Sequence, residues 1–291
     1  MRALILGSDT PLGHALFNRL QHLGRHQVVQ VTRATCRWKS ERQAKKAVVR
    51  AKCDIVVDLR ISAAADGVDP LQEVDLKRCH WVAKACQRSG ITYLYTSNSR
   101  VFSGQLDRPY TEEDYPDNEA GAGALLTRAE QLVRDSCERH LILRLGPVFS
   151  FDGTNLITQM LGQLGEQGAS LVMDNNLRGC PLSADDGARV LSALLDQLST
   201  GLEAYGIFHY CSSDSATYYE FAEALLACAS QFSEFSPDAV QLQRQPEGLV
   251  PLNRSLNCNK IRNTFAIKQA PWRGAIAANV KQYYAKLRQQ E

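Results

Sequence analysis

A glycine-containing turn near the start of the chain has the residue types and spacing that could bind a phosphate. Gly7 follows an apolar run, and Gly13 lies six residues later, inside a segment with helical apolar spacing. Free N–H groups at a helix N-terminus attract anions. Thr10 stands where a further glycine would let a pyrophosphate approach, and Asp9 adds negative charge, so a purely structural turn is the alternative. The predicted nucleotide contacts are Gly7, Thr10, Pro11, Leu12 and Gly13.

An arginine follows the second predicted strand, at the position that distinguishes the two nicotinamide dinucleotides. NAD sites carry an acidic residue there for the ribose hydroxyl, whereas an arginine suits the 2′-phosphate of NADP. Here the sequence is Val31-Thr32-Arg33. If a dinucleotide binds, Arg33 therefore favours NADP(H) over NAD(H). A surface arginine without a ligand is the alternative.

The elements that position these residues alternate between strands and helices. Short apolar runs such as Ala3–Leu6 and Ile55–Val57 are separated by segments with three-to-four apolar spacing, such as Pro11–Leu23. Apolar strands that alternate with helices predict a parallel sheet covered on both faces. The predicted fold is therefore α/β, with a doubly wound, Rossmann-type parallel sheet and a smaller C-terminal α/β lobe.

The change in regularity along the chain predicts two parts. Residues 1–150 form the predicted nucleotide-binding domain, and residues 151–291 form a less regular substrate-type lobe. A predicted helix within 184–204 is expected to pack back on the first domain. Thr10 is expected to cap the first helix, since a threonine there is followed by a proline in the first turn.

Composition excludes several classes of function. The net charge is +2 in 291 residues, and the basic stretch from Arg33 to Lys52 is interpreted as a solvated helix face, so no nucleic-acid partner is expected. No apolar run is long enough to cross a membrane, and the N-terminus does not have the pattern of a signal peptide, which predicts a cytoplasmic protein. Nine cysteines without CxxC spacing predict buried, reduced thiols and no metal site.

Several later segments occur in the order of a known family. They are Ser97-Asn98-Ser99-Arg100-Val101-Phe102-Ser103-Gly104, Arg108-Pro109-Tyr110-Thr111-Glu112-Glu113-Asp114, Arg144 with Val148-Phe149 and Asn155, Asp174-Asn175 with Pro181, Asp186-Gly187-Ala188, Gly206-Ile207-Phe208-His209 and Pro271-Trp272. Together they resemble the RmlD-type subgroup of the extended short-chain dehydrogenases over about residues 1–285. The resemblance implies a cleft between two lobes that holds a nucleotide sugar.

The resemblance also implies a chemistry whose residues are missing here. Family members transfer hydride to a keto-sugar, with a tyrosine as acid and a lysine four residues later. Alignment on Gly123 and Glu130 puts Ala122 at the tyrosine and Leu126 at the lysine. Asn98 replaces a threonine beside the retained Ser97. The cofactor-lining exit of the third strand, usually Asn-Ala-Ala, is Asp58-Leu59-Arg60.

Three functions remain open from the sequence. The first is an NAD(P)- or sugar-nucleotide-binding protein without classical reductase activity, a pseudoenzyme that acts through a protein partner, as the related regulatory subunit of methionine adenosyltransferase does. The second is an NADP-dependent reductase or epimerase of a nucleotide sugar with relocated catalytic groups, for which the candidates are Ser97, Asn98, Tyr115 and Arg128. The third is a lyase or hydrolase that uses Asp58, Arg100 or His209. The expected substrate contacts are Arg100, Arg144, Asn155 and Arg178. Structural interpretations compete at several positions: a core histidine at His209, an Asp58–Arg60 pair, a surface or inter-lobe salt bridge at Arg178 and a helix cap at Asn155.

Overall fold

The chain was analysed as a computed structural model, which describes residues 1–61, 71–164, 170–235, 240–245 and 251–289. Its main sheet consists of parallel strands, of which the central ones are almost entirely buried and the edge strand Gln27–Val31 is partly exposed. The strands are β1 (Arg2–Leu6), β2 (Gln27–Val31), β3 (Ile55–Asp58), β4 (Thr92–Asn98), β5 (His140–Leu145) and β10 (Gly206–Tyr210). Their spatial order is β10-β5-β4-β3-β1-β2. The predicted doubly wound α/β fold is confirmed.

Helices connect these strands and cover the sheet. They are α1 (Pro11–Leu23), α2 (Glu41–Ala51), α3 (Glu73–Ser89), α4 (Gly121–Ser136), α5 (Leu156–Leu164), α6 (Ala184–Ser199), α7 (Tyr218–Ala229), α8 (Asn259–Phe265) and α9 (Arg273–Arg288). The first helix shows how local sequence sets the bounds. Thr10 caps its N-terminus by accepting the Gly13 N–H, and Gly24 ends it in the left-handed conformation at φ 63°.

A second set of short elements lies beyond β5. Its strands are β6 (Val148–Phe149), β7 (Ser170–Met173), β8 (Leu177–Gly179), β9 (Leu182–Ser183), β11 (Ala216–Thr217), β12 (Gln241–Arg244) and β13 (Leu252–Asn253). Together with α5, α7 and α9 they enclose a separate hydrophobic cluster around Phe221 and Trp272. The molecule thus has two cores, with a cleft where they meet.

Two segments of the second half belong to the first core. Helix α6 packs on α1, and its Leu191 and Leu195 lie in the same cluster as the main sheet. Strand β10 pairs in parallel with β5 and forms an edge of the main sheet, although the sequence interpretation put it in the second lobe. These contacts favour our proposal of a first domain over residues 1–150 and a second lobe over 151–291 from which 184–204 packs back. They also add 206–210 to that first domain.

The nine cysteines are all free thiols, and eight of them are buried. Within the described ranges, no group of His, Cys, Asp and Glu side chains has an arrangement that could hold a metal ion. No helix in the same ranges is long and apolar enough to cross a bilayer.

Candidate functional site

A pocket lies between the two cores, at the C-terminal end of β4. Its wall is largely apolar and aromatic, and it is formed by Val148, Phe149, Leu156, Leu177, Pro181 and Phe221. Its charged side chains are arginines on three separate segments: Arg100 after β4, Arg178 on β8 and Arg254 after β13. Apolar walls with a few convergent charged groups are typical of sites for small organic ligands, whereas the volume of this pocket, about 40 Å³, is well below that of such sites.

Arg254 is linked to each of the other two arginines. The Arg254 N–H donates to the Arg178 carbonyl at 2.7 Å, which ties the two segments together. Arg178 also donates to the Glu220 carboxylate at 2.8 Å. Burial and the nearby charge of Arg100 lower the pKa of Arg254, whose Nε is buried without an acceptor among the described residues. Arg254 was missed by the sequence analysis, because it is an isolated arginine in an irregular segment.

The positions expected to hold an acid and a base have apolar side chains. Both lie on the first turns of α4, which is held against the end of β4 because Gly123 packs on the Arg100 carbonyl. Ala122 is half-buried, and Leu126 is fully buried in the main core. Neither side chain can donate or accept a proton at the cleft.

The other acid–base candidates do not come together. Ser97 is fully buried, and its hydroxyl has no hydrogen-bond partner among the described residues. The Asn98 side chain accepts the Arg100 N–H at 3.0 Å and so caps the short 3₁₀ helix Ser99–Val101. Tyr115 is 83% exposed, and Arg128 forms a surface ion pair with Glu73. The structure therefore does not assemble Ser97, Tyr115 and Arg128 into one catalytic group.

Arg144, an expected ligand contact, and His209, a candidate of the lyase or hydrolase hypothesis, are structural instead. Arg144 is 1% exposed and points into the core, where it pairs with Glu130 and approaches His209 Nε2 at 3.3 Å. His209 is completely buried, as the core interpretation predicts, and burial lowers its pKa to about 3. Neither residue lines the pocket, because β5 and β10 turn both side chains toward α4 and the loop at Tyr110.

Asn155 stabilises its own loop rather than a ligand. Its side-chain oxygen accepts the Ser150 and Ile157 N–H groups, and its amide donates to the Asp152 carbonyl. The residue is 4% exposed. The helix-capping alternative therefore describes Asn155 at the start of α5.

The glycine turn leaves few backbone donors for a dinucleotide. Thr10 Oγ1 donates to the Gly7 carbonyl at 2.8 Å and accepts the Gly13 N–H at 3.0 Å, and the His14 N–H donates to the Thr10 carbonyl. Pro11 has no N–H. In the first turn of α1, Leu12 alone offers an N–H without an acceptor in the described part of the chain. Most N–H groups at this helix N-terminus already have acceptors, so few are available to bind a pyrophosphate.

A side chain lies on the same turn. Arg60 packs directly on Gly7, because a Cβ built there would stand 3.1 Å from Arg60 Cγ. The guanidinium donates to both oxygens of the fully buried Asp58, at 2.8 and 2.6 Å, and lies over the Trp38 ring. Asp58 also accepts the Tyr93 hydroxyl at 2.7 Å. Asp58 and Arg60 thus pair with each other, as the structural alternative for these two residues predicts. Because Arg60 occupies the surface of Gly7, the residues present do not fit a pyrophosphate across this turn.

A separate cavity of about 420 Å³ opens beside the turn, at the end of β2. Its charged lining consists of Asp9, Arg33, Arg37, Arg60, Asp75 and Arg78. The Arg33 N–H donates to Asp9 at 2.7 Å, and the Arg33 guanidinium lies 3.4 Å from the same carboxylate. Arg33 is thus paired with Asp9, and the excess of positive charge in this lining comes from the other arginines.

Comparison with known proteins relates the whole chain to one group. The model of the family described as RmlD substrate binding domain matches residues 1–285. A dTDP-4-dehydrorhamnose reductase of Sinorhizobium fredii is 27% identical over 75% of this chain and 77% of the relative. Methionine adenosyltransferase 2 subunit beta of Xenopus laevis is 24% identical over 94% and 86%. A solved dTDP-4-dehydrorhamnose reductase of Bacillus anthracis in complex with NADP has a TM-score of 0.78 at 20% identity, covering 97% and 98% of the two chains, and this likeness supports the fold.

Proposed function

We propose, from the premise that this chain belongs to the RmlD substrate binding domain family, that it binds a nucleoside-diphosphate sugar without reducing it. One observation carries the proposal. The pocket between the cores keeps three arginines, whereas the neighbouring helix presents Ala122 and the buried Leu126 where the resemblance implies tyrosine and lysine.

The arginines suit a diphosphate. Guanidinium groups bind phosphate oxygens in bidentate fashion, and such charge-assisted hydrogen bonds are among the strong ones. Within the described residues, the Arg254 Nε still lacks an acceptor, and Arg100 lies near enough to lower the pKa of Arg254. An anion placed between Arg100, Arg178 and Arg254 would relieve that repulsion.

The apolar wall suits the organic ends of the same ligand. Phe149 and Phe221 pack edge to face at 5.3 Å, which makes a rigid aromatic surface at the pocket. Packing of a base or a deoxygenated sugar face against such a surface is favourable, because it removes apolar area from water. We therefore assign the phosphates to the arginines and the less polar part of the ligand to the aromatic wall.

A reductase or epimerase is the second candidate. The names of the relatives favour it, since several are called dTDP-4-dehydrorhamnose reductase. It requires a proton donor at the pocket, and neither hydroxyl of the predicted set lines it: Ser97 is buried in the core, and Tyr115 is 83% exposed. An arginine on the β2 side would make NADP(H) the preferred dinucleotide of such an enzyme. The buried Leu126 weighs against this candidate.

A regulatory role is consistent with binding without turnover. The relative named as a subunit of methionine adenosyltransferase spans nearly the whole chain. We propose that this chain likewise acts in the cytoplasm through a protein partner, with ligand occupancy of the pocket as the signal.

Calorimetric titration with dTDP-glucose tests the binding function. Saturable binding is expected, and Arg254→Gln should weaken it about 10- to 100-fold, because a hydrogen bond to a charged group contributes about 1.5–3 kcal/mol. Arg273→Gln is the matched control, since Arg273 is exposed and pairs with Asp214 outside the pocket. Equal affinities for both variants and the unaltered protein would contradict the assignment of the site.

A second assay tests the absence of reduction. The purified protein is incubated with a 4-keto nucleotide sugar and NADPH, and absorbance at the reduced nicotinamide band is followed. No turnover above the protein-free rate is expected. Turnover that requires NADPH would overturn the proposal in favour of the reductase.

A further inference from the structure

The cavity beside the glycine turn carries more positive than negative charge. Four arginines and two aspartates line it. Arg33 is paired with Asp9, and Arg78 is paired with Asp75 at 2.8 Å. Arg60 is paired with Asp58 beneath the cavity floor. Arg37 is exposed and has no ion-pair partner in the part of the chain that the structure describes. The excess charge is therefore concentrated at the mouth of the cavity.

The cavity ends where the glycine turn begins. Arg60 forms the boundary, because its side chain packs on Gly7 and is 7% exposed. Two kinds of contact fix the Arg60 guanidinium: two hydrogen bonds to the fully buried Asp58 carboxylate, and the Trp38 ring, whose centroid is 5.4 Å away. Moving it would leave Asp58 charged and unpaired in the core, which is strongly unfavourable. The boundary is therefore a permanent part of the fold.

Beyond the boundary, the groove offers little to a second phosphate or a nicotinamide riboside. Thr10 already accepts the Gly13 N–H, and Pro11 has none to give. The lysine that would hold the nicotinamide ribose in the family is replaced by the buried Leu126. The two halves of a dinucleotide would therefore contact different surfaces. The half in the cavity would contact an open, cationic lining, whereas the nicotinamide half would face a helix N-terminus whose N–H groups are mostly occupied.

We propose that this cavity binds a phosphorylated mononucleoside, of the ribonucleoside bisphosphate class, and not a nicotinamide dinucleotide. A volume of about 420 Å³ lies in the lower part of the range for organic ligand sites. Arg37 and Arg33 hold a ribose phosphate at the mouth, since guanidinium groups match phosphate oxygens. The second phosphate stays on the cavity side of Arg60, whose side chain on Gly7 stops the ligand from continuing toward the glycine turn.

Calorimetric titration of the full chain with adenosine 2′,5′-bisphosphate tests the inference, with NADPH titrated in parallel. The bisphosphate is expected to bind, and NADPH is expected to bind no tighter than the bisphosphate. Arg37→Gln should weaken the bisphosphate about ten-fold or more. Arg42→Gln is the control, because it removes an exposed charge of α2 outside the cavity. Absence of bisphosphate binding at millimolar concentration overturns the inference, as does NADPH binding about ten-fold tighter than the bisphosphate.

A double variant tests the boundary by gain of binding. Asp58→Asn with Arg60→Ala introduces the first and third residues of the family's Asn-Ala-Ala and leaves Leu59 in place. It removes both members of the buried pair, so no unpaired charge remains. The variant should bind NADPH at least about ten-fold tighter than the unaltered protein, with little change for the bisphosphate. Unchanged NADPH affinity, in a variant whose circular dichroism matches the unaltered protein, shows that Arg60 is not the boundary and overturns the inference. Titration with dTDP-glucose reports on the other pocket, so failure of either proposal is recognised separately.

Discussion

The Arg144 guanidinium donates three hydrogen bonds to the Glu130 carboxylate, and both side chains are almost completely buried. Nε lies 3.0 and 3.2 Å from the two oxygens, and Nη2 lies 2.7 Å from Oε2. The pair joins α4 to β5 beneath the pocket. The Phe102 ring, 5.1 Å from the guanidinium carbon, covers one face of the arginine. The pair fixes against β5 the helix whose first two turns carry Ala122 and Leu126.

Removal of one member of this pair should be costly. Glu130→Ala leaves the Arg144 charge buried without a counter-ion, and we expect the free energy of unfolding to fall by about 3–5 kcal/mol. Urea denaturation followed by circular dichroism measures the change. Glu73→Ala is the control, because it breaks the exposed pair with Arg128 and should cost at most about 1 kcal/mol. Similar decreases in the free energy of unfolding for both variants would show that the buried pair contributes no more to stability than the exposed pair.

The buried His209 should make the protein sensitive to acid. Burial and the neighbouring Arg144 charge lower its folded pKa to about 3, whereas an unfolded histidine titrates near the ordinary value of 6.5. Between these two pH values the unfolded state binds a proton at His209 that the folded state does not bind. The contribution of His209 to the free energy of unfolding is therefore fully present above pH 6.5 and declines as pH falls toward 3. The expected loss between pH 7.5 and pH 5 is about 2 kcal/mol.

His209→Gln isolates this contribution, because the amide oxygen can still accept from Arg144 and does not titrate. Unfolding free energies at several pH values are compared for the two proteins. The variant should lack about 2 kcal/mol of the decline by pH 5. Parallel pH profiles would mean that other groups cause the acid sensitivity.

Thr10 should contribute to stability through its cap. Thr10→Ala removes the acceptor of the Gly13 N–H at a site that is 1% exposed, and the expected loss is about 1–2 kcal/mol. Thr10→Ser retains the hydroxyl and should recover most of it. Thr35→Ala, at an exposed threonine, is the control and should change stability by less than about 0.5 kcal/mol. A stable Thr10→Ala variant would contradict the role of the cap.

The thiols should differ in reactivity according to exposure. Cys228 is the one cysteine that is not buried, so alkylation of the native protein should label it first. Hydrogen bonds from neighbouring groups, first of all Cys211, lower the pKa of Cys180, but Cys180 is 6% exposed. We expect mass spectrometry to find Cys180 labelled second, and the remaining thiols only after denaturation. Early labelling of a core cysteine such as Cys86 would contradict the packing described here.

Local features of the chain could be predicted because neighbours in sequence decide them. The bounds of α1 follow from Thr10, Pro11 and Gly24, which act within one or two turns of the helix. The alternation of apolar strands and amphipathic helices predicted the parallel sheet, since each period depends on residues a few positions apart. The absence of the expected tyrosine and lysine was also visible without a structure.

The partners of the polar side chains were decided by tertiary structure. The sequence offered Arg144 as a ligand contact, but its partner lies 14 residues away on a helix that packs over β5. Arg254 had no local signal, yet the pairing of β13 with β8 brings it beside Arg178. The path of the chain and the burial of each arginine decide whether its guanidinium contacts a carboxylate or lines a cavity. The sequence by itself therefore determined the fold and the missing acid–base pair, whereas long-range packing decided which arginines remain available to a ligand.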